Sequence, residues 1–484
     1  MSIAKKIGIG LLVLILVLLL AGWLYTRPDQ ADLAWSKVTG TDPELGPPQS
    51  ETFPTVKIAE PIGWAANDAP TPAAGLAVNR FAEGLDHPRT MLTLPNGDVL
   101  VSLTRAPRMK APGEDNWIKE KVQAFLFAKA GSGGASPDQV VLLRDADGDG
   151  RAEGRFVLGK QFASPSGLAW ANDRLFVANH DAVWAWPYKL GETTLAGTPT
   201  KIMDLAPGPN HWMRNLLLSP DASKLYVAVG SASNIGEDGM KAEEGRALIW
   251  EYDLATKSRR VFGAGLRNPN GLAWSPWSGE LWTTVNERDM LGSDLVPDYL
   301  TNVPLGVQYG WPWVYWKNNI DQRVKSGMPQ FMTEYTRRPE YSLGPHVAPL
   351  GLVFSRGGTR LGARFQQGAF VAQHGSWNRS PPSGYGVVYV GFDARGNPQG
   401  MPVPVLSGFL TGDGKTHGRP TWLAWARDGA LLVSDDTAGI VWRVIDPKAT
   451  PAPAIVRKAS RPLPPQKELR GLQGAFGEED YARQ

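Results

Sequence analysis

The chain has no cysteine among its 484 residues. That excludes disulfides, c-type haem attachment, CxxC redox chemistry and thiol nucleophiles. Histidine is scarce, with six copies, so imidazole chemistry has few places to sit. The formal net charge is only +3 and no basic run is interleaved with aromatics, which argues against a nucleic-acid partner. Common catalytic signatures are missing as well. There is no HExxH, no GxSxG, no GxxxxGK[ST] and no GxGxxG after a strand, which sets aside zincin, nucleophile-elbow, P-loop and Rossmann chemistry.

What is abundant is glycine (54), proline (40) and tryptophan (19). Gly and Pro spread without a period among apolar strands suit an all-β chain with many turns. Six segments share a small-polar or Pro start, an apolar strand, a Gly/Asp/Asn turn and a second apolar strand. They are "HPRTMLTLPNGDVLVSLTR" (87–105), "SPSGLAWANDRLFVANHDAVW" (164–184), "MRNLLLSPDASKLYVAVGSASN" (213–234), "NPNGLAWSPWSGELWTTVNERD" (268–289), "APLGLVF…GAFVAQHGSWN" (348–378) and "RPTWLAWARDGALLVSDDTAGIVWRV" (419–444). Several continue into a third strand, as in "ALIWEYDL" (247–254) and "GVVYVGFD" (386–393). Hairpins repeating at roughly 45–80 residues indicate propeller blades, and six copies indicate a six-bladed β-propeller. The spacing places the largest insertions in blades one, four and five.

The ends differ from the body. Lys5 and Lys6 precede nineteen uncharged residues, 7–25, long enough to span a bilayer with the lysines in the cytoplasm. The expected organisation is therefore an N-terminal transmembrane anchor helix (1–27), a spacer (28–75), the propeller (76–446) and a Pro-rich tail (447–484). It implies an inner-membrane-anchored protein whose body lies in the periplasm. "NWIKEKVQAFLFAKA" (116–130) reads as an amphipathic helix.

In a propeller the innermost strand of each blade lines the axis, so polar residues just before these strands should meet there, however distant in sequence. His211, Arg267, Asn268 and Arg419 hold such positions. A turn cap alone would account for Arg267 and Asn268 in one blade, but not for charged residues recurring in others. "DADGDGRAE" (145–153) places Asp145, Asp147 and Asp149 at alternating positions before Gly150. Phe156 occupies the twelfth position, so this is not an EF-hand; a calcium-binding turn and a plain acidic hairpin both remain open.

The body, roughly 75–445, closely resembles the glucose/sorbosone dehydrogenases, especially the membrane-anchored L-sorbosone dehydrogenase-like branch. "GLRNPNGLAW", "VNERDMLGSDLVPDYL", "YGWPW", "GPHVAPLGLVF", "QHGSWNRSPPSGY" and "GRPTWLAWARDGALLVSDD" carry the resemblance in order. It implies a six-bladed propeller that oxidises a sugar or sugar aldehyde with pyrroloquinoline quinone (PQQ) and calcium. His211 stands nine residues before Pro220-Asp221, matching the family's catalytic histidine. Arg267, Asn268 and Arg419 match cofactor contacts. The family's blade-five lysine has no counterpart, which leaves His374 or Trp377 to substitute. Glu287-Arg288 replaces a Gly-Pro pair whose carbonyls bind the cofactor calcium, making a side-chain ligand conceivable. Asp294 and Tyr309 match a second calcium site.

The chemistry agrees with that assignment. Sugar oxidation needs a base for the hydroxyl proton and an acceptor for hydride that no side chain supplies, while arginines suit a tricarboxylate. A membrane quinone or a cytochrome would receive the electrons. The rival readings are a calcium-dependent, lactonase-like propeller hydrolase and a non-catalytic propeller that binds sugars or proteins.

Overall fold

The computed structural model describes residues 29–51, 54–108 and 128–455 continuously, together with 5, 9, 12–18, 20, 121, 125 and 126. The expected anchor (7–25) and amphipathic helix (116–130) fall in part outside these residues, and the tail from 456 falls wholly outside them. Among the described residues no helix is long and apolar enough to cross a membrane.

Six antiparallel sheets form the body, each with its first strand innermost. The inner strands are Pro88–Thr93, Gly167–Ala171, Arg214–Leu218, Asn268–Trp274, Pro349–Phe354 and Pro420–Trp425. The fold is thus the expected six-bladed β-propeller. The outermost strand of blade six, Ala77–Ala82, comes from the N-terminal side and pairs antiparallel with Ile440–Ile445, which closes the ring. Six apolar clusters fill the seams, one between each pair of adjacent blades.

The recurring "GLAW" has a physical reason. A Cβ on Gly271 would lie 2.7 Å from Leu352 N of the next blade, and closer still to Leu350 O. Gly351 meets Leu423 N and Trp422 Cα of blade six in the same way, at 2.7 Å each. Glycine therefore lets one inner strand lie directly on the backbone of the next. The Trp that ends the inner strand in blades four and six fastens the opposite seam: Trp274 Nε1 donates to Leu218 O (2.8 Å) and Trp425 Nε1 to Phe354 O (2.9 Å), each in the preceding blade.

Two expectations need correction. Of the expected spacer, the described residues 29–51 and 54–75 are not free. Thr71–Pro72 adds a fifth strand to blade five, and Asp29, Gln49, Glu51 and Lys57 hydrogen-bond the loops after the second strands of blades four and five. Apolar surface and backbone donors that strand reading overlooks hold it down. Secondly, the long insertions lie in blade one (104–138) and blade four (303–340), and blade five carries none of that length. The blade-four excursion returns to the sheet through Tyr341–Pro345, and its Val307–Gln308 joins blade three as a parallel edge.

Gly271→Ala should lower stability by about 1–3 kcal/mol, because backbone atoms of blade five must shift to admit the methyl group. Gly412→Ala, with nothing within 4 Å, should change it by less than about 0.5 kcal/mol. Denaturant melts of the two variants check this, and equal midpoints would refute the seam argument.

Candidate functional site

Each first strand runs away from one rim and each second strand returns to it. Residues before first strands and after second strands therefore share that rim: Asn268 pairs with Asn286, Pro349 with Gln373 and Pro420 with Asp435. This brings His211, Arg267, Asn268, His374 and Arg419 to one end of the axis, as expected.

His211 takes a left-handed backbone (φ 42°) before the inner strand of blade three, and Arg214 Nη1 donates to its carbonyl at 2.6 Å. Its Nδ1 lies 3.0 Å from Ser231 O and 2.9 Å from Ser231 Oγ. The carbonyl only accepts, and Ser231 Oγ spends its own proton on Ser233 O (2.7 Å). Nδ1 must then carry the hydrogen, leaving Nε2 as a bare lone pair with no hydrogen bond among the described residues. Burial and the neighbouring Arg267 push its pKa down, so the ring is neutral at pH 7.

Arg267 commits all five donors to protein. Nε bonds Asn234 O, Nη1 bonds Glu287 O (2.6 Å) and Asn286 O, and Nη2 bonds Asn234 Oδ1 and Asp289 Oδ2 (2.8 Å). Asp289 also lies 3.5 Å from His346 Nδ1. Burial opposes protonation of His346, but Asp289 and Asp298 outweigh it and raise its pKa. Asn268 Nδ2 donates to Asn286 Oδ1.

A second cluster faces the first. Asp436 Oδ2 accepts from Arg89 Nη1 (2.5 Å) and His374 Nε2 (2.8 Å), with His87 Nε2 at 3.5 Å. Arg419 Nε and Nη2 donate to the carbonyls of His374 and Gly375, and its guanidinium stacks over Tyr385. Arg89 Nε and Asp436 Oδ1 are buried without a partner among the described residues.

The remaining candidates separate. Trp377 is 39% exposed, and its carbonyl accepts from Lys57 N. Glu287 Oε2 is held by Arg288, whose fully buried guanidinium also reaches Pro312 O, Val314 O and Asp321. Both side chains thus turn into the blade-four excursion, and the Glu287 carbonyl is occupied by Arg267. At Glu287-Arg288 the arginine engages one carboxylate oxygen, Oε2. Asp294 and Tyr309 share no partner. Asp294 Oδ2 receives Asp32 N and Leu33 N and its Oδ1 faces Arg379, whereas the Tyr309 hydroxyl bonds Asn302 O and Thr301 inside the core. Asp145, Asp147 and Asp149 do converge, joined by Glu153, with ligand oxygens within 4.8 Å of one another. Asp145 organises the loop by accepting from Gly148 N and Gly150 N. This loop joins the third and fourth strands of blade one, so it sits at the end of the propeller opposite the histidines and arginines.

Arg89, His87, His346, Asp289 and Asp436 were not singled out from the sequence. Their signal is positional: Asp436 directly follows the second strand of blade six as His374 follows that of blade five, and Arg89 follows the Pro that opens blade one.

Comparison with known proteins adds the family. Over 332 residues the chain is 28% identical to the pyrroloquinoline quinone-dependent pyranose dehydrogenase of Coprinopsis cinerea, covering 56% of this chain and 44% of that protein. It is 23% identical to a pyrroloquinoline quinone-dependent sugar dehydrogenase of Hypocrea jecorina, covering 57% of this chain and 73% of that protein. Among solved structures, the iodide structure of a Trichoderma reesei AA12 enzyme superposes with a TM-score of 0.63 at 21% identity, covering 78% of this chain and 98% of that one. The holo pyranose dehydrogenase PQQ domain of Coprinopsis cinerea gives 0.59 at 23% identity, covering 80% and 100%. The TrAA12-like family description matches residues 153–303 and 320–447, more than half of the sequence, and the chain belongs to that family.

Proposed function

We propose that this protein is a PQQ- and calcium-dependent dehydrogenase that oxidises a sugar or sugar aldehyde, with His211 as general base. The observation that carries the reading is the tautomer of His211: Nδ1 sits between two acceptors, so Nε2 is a bare base on an axis ringed by arginines. Relatives named for this cofactor support it.

The donor set fits the cofactor. Its carboxylates would meet the guanidinium of Arg419, which keeps Nη1 uncommitted among the described residues, and the orphaned Nε of Arg89. When bound, PQQ supplies the hydride acceptor. Arg267, with every donor spent, holds Asn234, Glu287 and Asp289 in place, and Asn268 and His374 stand at the same rim. His211 Nε2 takes the hydroxyl proton, and Ser231 keeps the ring oriented while Nδ1–H stays bonded to its carbonyl. The hydrolase reading needs free axial carboxylates for a metal, yet Asp436 and Asp289 are each paired with an arginine. His211→Ala should reduce PQQ-dependent dye reduction by roughly 10²–10⁴-fold. Because its pKa is lowered, the neutral base persists to more acidic pH, so kcat/KM should show no fall near pH 6.5. A fall there, or an unimpaired variant, would remove His211 from the role.

Calcium would suit the loop of Asp145, Asp147, Asp149 and Glu153, an all-oxygen donor set. Added calcium should raise Tm in the wild type, and Asp145→Asn should abolish the rise. An equal rise in both would leave the loop a plain acidic hairpin.

We also propose that residues 7–25 hold the body on the periplasmic side of the inner membrane, where a quinone or cytochrome accepts electrons. Nineteen uncharged residues behind two lysines support this. Cell fractionation should find the full chain with membranes and a chain lacking 1–27 in the soluble fraction; identical partitioning would contradict the anchor.

A further inference from the structure

The function proposed above leaves one buried group unused, the Asp436 carboxylate, which is 2% exposed at the end of blade six's second strand. A buried carboxylate costs several kcal/mol unless paired, and this one is paired on a single oxygen. Oδ2 receives Arg89 Nη1 at 2.5 Å and His374 Nε2 at 2.8 Å.

The consequence falls on His374. A carboxylate oxygen only accepts, so a contact of 2.8 Å requires the hydrogen on Nε2. Arg89 Nη1 also approaches Nε2, at 3.4 Å, but that weak contact cannot offset two acceptors facing each other at 2.8 Å. The charged groups facing the ring are Asp436, Arg89 and Arg419, with His87 beyond the carboxylate. Burial, then Arg419, lowers the His374 pKa to about 3, so the ring is neutral at pH 7. A neutral ring protonated on Nε2 has its lone pair on Nδ1, which makes no hydrogen bond among the described residues.

We propose that Asp436 is a positioning residue that locks His374 in the Nε2–H tautomer, so that Nδ1 accepts a hydrogen bond from an N–H or hydroxyl of the ligand on the axis. The identity of that ligand as the quinone cofactor rests on the function proposed above; the tautomer does not. Asp436 acts through His374 and touches no ligand itself. It thus does for His374 what Ser231 does for His211, through the opposite ring nitrogen.

Asp436→Leu tests this. With no acceptor at position 436, Nε2 is left facing the Arg89 Nη1 donor at 3.4 Å, which draws the lone pair to Nε2 and the ring proton to Nδ1. Asp436→Asn can place its amide oxygen where Oδ2 stands and should keep the wild-type tautomer. In ¹⁵N-histidine-labelled protein without cofactor, with His374→Phe to assign the signal, the wild type should show pyrrole-type Nε2 and imine-type Nδ1. The Asp436→Leu protein should show them exchanged. PQQ affinity, titrated without sugar by tryptophan fluorescence, should fall on the order of tenfold in Asp436→Leu and in His374→Phe, as when carboxylate–histidine pairs are broken elsewhere. A wild-type proton on Nδ1, or a folded Asp436→Leu protein with an unchanged tautomer, overturns the positioning role. If Asp436→Leu does not fold, the wild-type spectrum decides the tautomer, and unchanged affinity in His374→Phe overturns the acceptor role. No PQQ binding by the wild type overturns the cofactor reading and the ligand half of this proposal, while the spectra still decide the tautomer half.

Discussion

The rim depends on how closely six inner strands can approach one another. At Gly271 and Gly351 backbone lies on backbone, with no room for a methyl group. Each inner strand touches a neighbour on both sides, so the spacing of any one seam is transmitted around the ring, and the pairing of Ala77–Ala82 with Ile440–Ile445 closes it. The positions of His211, Arg267, His374 and Arg419 are thereby set at the seams, well below the loops that carry them. The loops can then be specialised for charge without having to supply rigidity.

That rigidity places charge in a poorly hydrated environment, and the molecule compensates locally. Arg89 faces Asp436 and Arg267 faces Asp289, so each of these pairs is neutral, while Arg419 bonds only carbonyls and leaves its charge at the axis. Removing one member of such a buried pair typically costs about 3–5 kcal/mol, because the survivor is left unpaired. His211 and His374 respond by staying neutral, in opposite tautomers, and each keeps one nitrogen bare. A charged imidazole beside Arg267 or Arg419 would be doubly penalised by burial and repulsion. The axis therefore offers fixed cations and neutral acceptors together, a combination suited to an anion that must also lose a proton nearby.

The sequence made the blades legible because each repeats an apolar inner strand, a polar turn and a second apolar strand, and in several the inner strand carries a glycine that meets the next blade or a tryptophan that grips the previous one. It made the first half of the site legible for the same reason, since residues just before those strands are easy to align. The second half was hidden. Asp436 and Asp289 follow second strands, whose ends carry no repeated motif, and an Asp after a strand ordinarily reads as a turn residue. The partners of Glu287 and Tyr309 likewise come from elsewhere in the chain. Arg288 claims the carboxylate only once the 303–340 excursion delivers the carbonyls of Pro312 and Val314, and Tyr309 is absorbed into a core beside Thr301. Linear spacing does not encode which side chain a long excursion will meet.

Segment 29–66 follows the same logic from the other direction. Nothing in its Pro- and Thr-rich composition announces a fold, yet Trp64 stacks on His417 at 4.6 Å and its indole donates to Asp435 Oδ2. Asp435 in turn accepts from Arg419 N, and burial raises its pKa to about 6. Asp29 and Glu51 meanwhile bond the loops that follow the second strands of blades four and five. A stretch that reads as a linker thus supplies donors to the residue adjoining Asp436 and to the backbone beside Asp289. The rim over blades four to six is therefore braced by chain more than 200 residues away. The site is completed by an N-terminal segment that packs against the ring.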